Sequence, residues 1–317
     1  LEGVLEDEEV PRLALGFDLG VNGLGGVLSI RLRTSSSLGD LSALPKLTSA
    51  ELTRAPGFKV ERAKHHIRDL NSQVSDYLSR RPFVLTLRKN PQLGEKSVGV
   101  KTKEAIPENL SAIIGDAVHN LRSALDLLIF AMVGTDALNP DRVQFPFAKR
   151  AETLENTIKN RNVHLAGKNV IEAIKALKPY PDGNELLAGL HLLDVQDKHK
   201  LIVTVGRSAD ISYNDLRKVI PEIVTSNITS AQPDAPMFNF NGTGRFILRD
   251  GRPEPSIWQR AAARDATTEH ETNIQPAFAI CFGEGHPFSG EPVIGKLHDM
   301  VGEVEGAIIS ITAAYFE

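Results

Sequence analysis

Cysteine occurs once, at Cys281, which excludes an internal disulfide and any zinc site built on several cysteines. Long hydrophobic runs are missing too. The longest unbroken apolar stretch, Leu127 to Val133, falls far short of the ~18–20 residues that span a bilayer. No basic stretch followed by an apolar one marks a secretory leader, so the expectation is a cytoplasmic protein with no membrane partner. Neither sign of charge dominates. With 36 Lys+Arg against 40 Asp+Glu the net charge is −4, which lends no support to a nucleic-acid partner. What is present is ordinary globular composition. The chain has 317 residues, 41% hydrophobic and 24% charged, enough to bury a sizeable core.

Residues 1–56 read differently from the rest. They hold the acidic patch Glu6, Asp7, Glu8 and Glu9, then glycine-rich text, then Thr34 followed by Ser35, Ser36 and Ser37. We expect a poorly structured extension here and a single α+β domain over 57–317. Within the extension, LALGFDLG (Leu13 to Gly20) resembles the first phosphate loop of sugar-kinase and actin-like ATPases. Such a loop needs a preceding strand, a following hairpin and a second phosphate loop, because backbone N–H groups must converge on phosphate. The residues that follow predict one strand at most, so a chance resemblance is the expectation.

From Phe58 to Arg81, Ile67, Leu70, Val74 and Leu78 recur at helical spacing, and Pro82 ends the pattern. Phe83 to Arg88 predicts a strand, and Lys89 to Lys103 a loop or hairpin. Pro107 opens a second long helix that Gly134 stops. Shorter helices are predicted over Glu152–Asn160 and Lys168–Leu177, with another after the cap Asn184. Beyond Leu201 the runs LIVTV, FNFN, RFILR and AFAICF are β-rich, and a helix closes the chain from Pro292 to Tyr315. The fold class is therefore α+β: a bundle of about five helices (57–200 mainly helical), a small mostly antiparallel sheet (201–290), and a terminal helix (291–317) packing back on the bundle.

Two polar stripes stand out. On the second helix His119, Arg122 and Asp126 lie at i, i+3 and i+7 beside an apolar face, with Asp116 and Ser123 at the border. A later helix repeats the pattern with His191, Asp194 and Lys198, followed by Asp197 and His199 in DKHK. Leucine faces that meet would bring both stripes to one edge of the bundle. Histidine, arginine and carboxylates placed together move protons and stabilise developing charge. The same residue types also lock helices together as buried pairs without any chemistry.

Residues 115–128, GDAVHNLRSALDLL, with Phe145-Pro146 and Asp197-Lys198-His199, resemble an uncharacterised bacterial protein family. Its members carry a GDAxHNLRSALDxL helix, a following FP segment and a DKH near the end of a later helix. The resemblance spans about residues 58–205. It implies no activity, and it marks His119, Asn120, Arg122, Asp126, Asp197, Lys198 and His199 as the family's polar positions.

Three classes of function remain open. One is a hydrolase with a metal-independent acid–base site, including an RNase similar to the HEPN helical nucleases, although those place arginine before histidine. In this reading His119 is the general acid/base, Asp126 orients it, Arg122 clamps an anion, and Asp194 and His199 assist. Asn120, His191, Asp197 and Lys198 would then contact a small-molecule or nucleic-acid substrate. The second is a divalent-metal site on His119, Asp126, His191, Asp194 and His199, with His65 and His66 in reserve, although no HExxH string is present. No cofactor is required by the sequence. The third is a non-enzymatic binding or regulatory module, and an oligomer is compatible with all three. GEGHPFSG (Gly283 to Gly290) reads as a strand-to-helix loop, and Cys281 as a small buried hydrophobe.

Overall fold

The computed structural model describes residues 47–134, 137–197, 206–212, 218, 236–239, 245–249, 255–273 and 277–317. The phosphate-loop-like phrase at Leu13 to Gly20 and the acidic and serine clusters lie outside the described residues. Residues 47–317 form one compact unit.

Helix α1 spans Ser49–Ser79. Thr48 starts it with a capping box: its hydroxyl accepts from the Glu51 N–H, and the Glu51 carboxylate accepts from the Thr48 N–H. The expected boundary at residue 56 falls inside this helix and is corrected. Pro56 lies within α1 and is buried. An interior proline loses one backbone hydrogen bond and costs about 3 kcal/mol. Fully buried Leu52, one turn earlier, extends the apolar face and helps offset that cost. From there Val60, Ala63, Ile67, Leu70, Val74 and Tyr77 are buried at alternating three- and four-residue steps.

Strands β1 (Phe83–Asn90) and β2 (Glu95–Thr102) pair as an antiparallel hairpin, where a strand followed by a loop or hairpin was expected. Helix α2 (Asn109–Val133) follows, buried at Ile114, Ala117, Leu121, Ala124 and Leu128 against α1. Short helices α3 (Leu154–Asn160) and α4 (Lys168–Leu177) lead to α5 (Glu185–Asp197), where Asn184 Oδ1 accepts from the Leu187 N–H at 3.0 Å. Next come β3 (Gly206–Ser212), β4 (Pro236–Asn239), β5 (Arg245–Arg249), the short α6 (Ile257–Ala262), β6 (Thr268–Glu271) and β7 (Ala277–Cys281). Trp258 lies on α6 and His270 on β6.

The strands form two antiparallel sheets. One has the order β5-β2-β1-β6 and the other β4-β3-β7. The N-terminal hairpin thus forms the centre of the first sheet. Cys281 is buried at the end of β7. The 283–290 loop closes on itself through Gly290 N–H to Phe282 O at 2.9 Å, with Gly285 and Gly290 at φ +84°, a region glycine enters without strain. The last helix, α7 (Val293–Phe316), buries Leu297, Val301, Val304, Ile308 and Ile311 and packs on α1, α2, α4 and α5. The protein is an α+β helical bundle with its terminal helix returned to the core. No helix among the described residues is long and apolar enough to cross a membrane.

Candidate active site

Helices α2 and α5 pack together and bring their polar stripes into contact. His119 Nδ1 lies 2.9 Å from Asp194 Oδ1. The His119 side chain is 54% exposed, whereas that of Asp194 is only 3% exposed. With Asp194 ionised, its carboxylate only accepts hydrogen bonds, and Nδ1 is the donor of this contact. Ser123 Oγ, one turn further along α2, lies 3.4 Å from Nε2. Serine, histidine and a buried aspartate therefore form one line.

Of the two carboxylates expected within reach of His119, Asp194 is the partner, and the role of orienter given to Asp126 is corrected. Seven residues on one helix are separated by roughly 10 Å along its axis, beyond the reach of an imidazole. Asp126 instead pairs with Arg122 one turn away. Its Oδ1 also accepts the Phe145 N–H at 2.8 Å, pinning the Phe145-Pro146 segment to α2.

Arg122, expected as an anion clamp, is instead largely buried. The residue is 8% exposed, with its guanidinium 4.7 Å from the centre of the Phe147 ring and ion-paired to Asp126. Its Nε meets no acceptor among the described residues. Phe147 in turn stacks on His191 at 4.7 Å with the rings 3° from parallel. Arg122, Phe147 and His191 thus couple α2, the FP segment and α5.

Asn120 faces another way. Its Nδ2 donates to the Asp116 carbonyl at 2.7 Å, and its Oδ1 accepts from Lys59 Nζ at 3.3 Å, which ties α2 to α1. Asp197 rests on Gly115: a Cβ there would overlap its carboxylate, so a side chain at 115 would push that carboxylate aside. Lys198 and His199 lie outside the described residues.

Burial holds the His66 imidazole below the ordinary histidine value of 6.5, against the pull of the Asp116 charge. Burial does the same at His286, whose Nδ1 lies 2.8 Å from Gln196 Oε1. Among the described residues no three His, Cys, Asp or Glu side chains converge where a metal ion would be held.

A cleft of about 1030 Å³ opens beside α5. Its α5 wall is Ala188, His191, Leu192 and Val195, at helical spacing. Phe147 and the α3 residues Thr157 and Asn160 face it, together with Arg142, Lys149 and Arg161. The sequence reading did not single out these three cations, which come from loops and helix ends and carry no periodic signal. Ser123 was noted only as a border residue, although its position four residues after His119 was a legible sign of contact.

Fold and site together define a class: an α+β helical bundle carrying a Ser123–His119–Asp194 line beside a cleft. No protein-family model matches the chain, and neither does any curated protein or solved structure.

Proposed function

We propose that the protein is a hydrolase in which His119, polarised by buried Asp194, is the general acid and base. The observation that carries this reading is the pair of contacts on one imidazole: a sequestered carboxylate on Nδ1 and a hydroxyl on Nε2. Ser123 Oγ attacks the electrophilic centre of an ester as its proton passes to Nε2. The imidazolium is stabilised by Asp194 and returns that proton to the leaving alcohol. Water repeats the sequence in reverse, freeing the acid and restoring the serine. The half-exposed His119 is open to substrate, whereas Arg122, held by Asp126 and Phe147, is not placed to grip a phosphate. That disfavours an RNase built on the His119 and Arg122 pair.

The test is hydrolysis of 4-nitrophenyl acetate, butyrate and phosphate by the full chain and by Ser123→Ala, His119→Ala and Asp194→Asn. Wild-type turnover on one of them, falling about 10²–10⁴-fold in His119→Ala and by a similar factor in Ser123→Ala, supports the reading. Unchanged turnover in His119→Ala by a variant that remains folded overturns it.

A further inference from the structure

We infer that the cleft beside α5 binds an organic phosphate: a multiply charged anion attached to an apolar carbon body. Three features carry this. First, the described lining contains Arg142, Lys149 and Arg161 but no carboxylate, in a chain with more acidic than basic residues. Second, none of the three makes an ion pair with a described residue. The nearby acid Glu155 is occupied by Lys175 at 3.0 Å. Cations left unpaired around a concavity concentrate positive potential there. Third, the lining is apolar elsewhere, His191 and the polar Thr153, Thr157 and Asn160 apart. Phe147, Ala188, Leu192 and Val195 line the cleft, with Leu192 43% and Val195 40% exposed. Exposed aliphatic side chains beside a charged rim suit a ligand that is itself divided into a carbon part and an anionic part.

A polar neutral group completes the charged side. Asn160 lines the cleft and offers an amide donor to phosphate oxygens, whereas the Thr153 and Thr157 hydroxyls, which also line it, donate to the Arg150 and Thr153 carbonyls. The volume of about 1030 Å³ exceeds what inorganic phosphate fills and suits a body of nucleotide size. Binding stands on the cleft alone. Only the further step, that the bound molecule is the substrate, rests on the hydrolase reading.

The experiment is calorimetric titration of the full chain with 1-naphthyl phosphate, with 1-naphthol and inorganic phosphate as separate arms. Saturable binding of naphthyl phosphate, tighter than either arm and weakened by added salt, is the expected result. Arg142→Ala and Arg161→Ala should each weaken it about tenfold. Leu192→Ser should weaken naphthyl phosphate while leaving inorganic phosphate unchanged. Arg80→Ala removes a cation that does not line the cleft and should bind as wild type does. Binding unaffected by Arg142→Ala, Lys149→Ala and Arg161→Ala combined in one folded variant overturns the inference, as does no binding at millimolar concentration. Binding without release of naphthol by the wild type leaves the cleft assignment intact and counts only against the hydrolase.

Discussion

Replacing Asp126 by alanine removes two interactions at once. Arg122 loses its counter-charge in a residue only 8% exposed, and orphaning one member of a buried pair costs about 3–5 kcal/mol. The Asp126 side chain is 28% exposed, so water screens part of the interaction and about 2–3 kcal/mol is the better figure. The Phe145 N–H also loses its acceptor in a residue 1% exposed, at about 1–3 kcal/mol for an orphaned buried amide. The two losses share one side chain and do not simply add, which gives an expected total of about 3–5 kcal/mol. Asp126→Asn keeps an acceptor for Phe145 but not the charge, and should cost about 1–3 kcal/mol. Arg122→Met with Asp126→Leu removes both charges and keeps packing on Phe147, so it should cost less than Asp126→Ala alone. Urea unfolding reads these as shifts of the midpoint at unchanged slope. A cost under about 1 kcal/mol for Asp126→Ala would refute the reasoning. It would mean that Arg122 does not depend on Asp126 and is available to a ligand after all.

Other outcomes follow from single contacts. Gly189→Ala places a Cβ into the Phe288 ring, and overpacking of this kind should cost about 1–3 kcal/mol, seen as a lower Tm. Gly115→Ala should push the Asp197 carboxylate aside; near-ultraviolet circular dichroism and Tm register the displacement, and an unchanged Tm would show that the carboxylate yields freely. His66 and His286 both titrate below 6.5 in the folded state, so the unfolded chain takes up protons first as pH falls. Stability is therefore complete above pH 6.5 and declines as pH drops toward the folded values. The pH slope of the urea midpoint in this window should flatten in His286→Asn. A second decline belongs below 4.5, where Glu61, Glu104 and Glu271, each held low by hydrogen bonds to basic side chains, become protonated.

Periodicity made the helices legible because each buries one face. Ile67, Leu70 and Val74 on α1 and Leu121, Leu125 and Leu128 on α2 carry the 3.6-residue signal directly. The start of α1 was hidden because Pro56 and Gly57 read locally as a break, while burial of Leu52 and Pro56 is decided by tertiary packing. The partnership of the hairpin Phe83–Thr102 with β5 and β6 was hidden for a related reason. Strand pairing across more than 140 residues leaves no local trace. At the site, sequence spacing identified the polar residues but not their partners. Asp126 and Asp194 were both available to His119, and only the packing of α5 on α2 decides between them. The same packing turns Arg122 inward, which a stripe drawn on an isolated helix does not show.

Helix α5 makes the two halves of the site hard to separate by changing α5 itself. His191 and Asp194 lie one turn apart on it. The first holds Phe147 and lines the cleft; the second holds His119. A substitution that shifts α5 therefore alters both the cleft and the proton-transferring pair, and its loss of activity has two explanations. The informative changes are those on elements that contribute to one half only. Ser123, on α2, touches His119 without lining the cleft. Arg142 and Arg161 line the cleft without touching His119. If the two halves serve one reaction, Ser123→Ala should lower kcat at nearly constant KM for a phosphate ester. Arg161→Ala should raise KM, with a smaller effect on kcat. The opposite partition would place the phosphate on α2 rather than in the cleft.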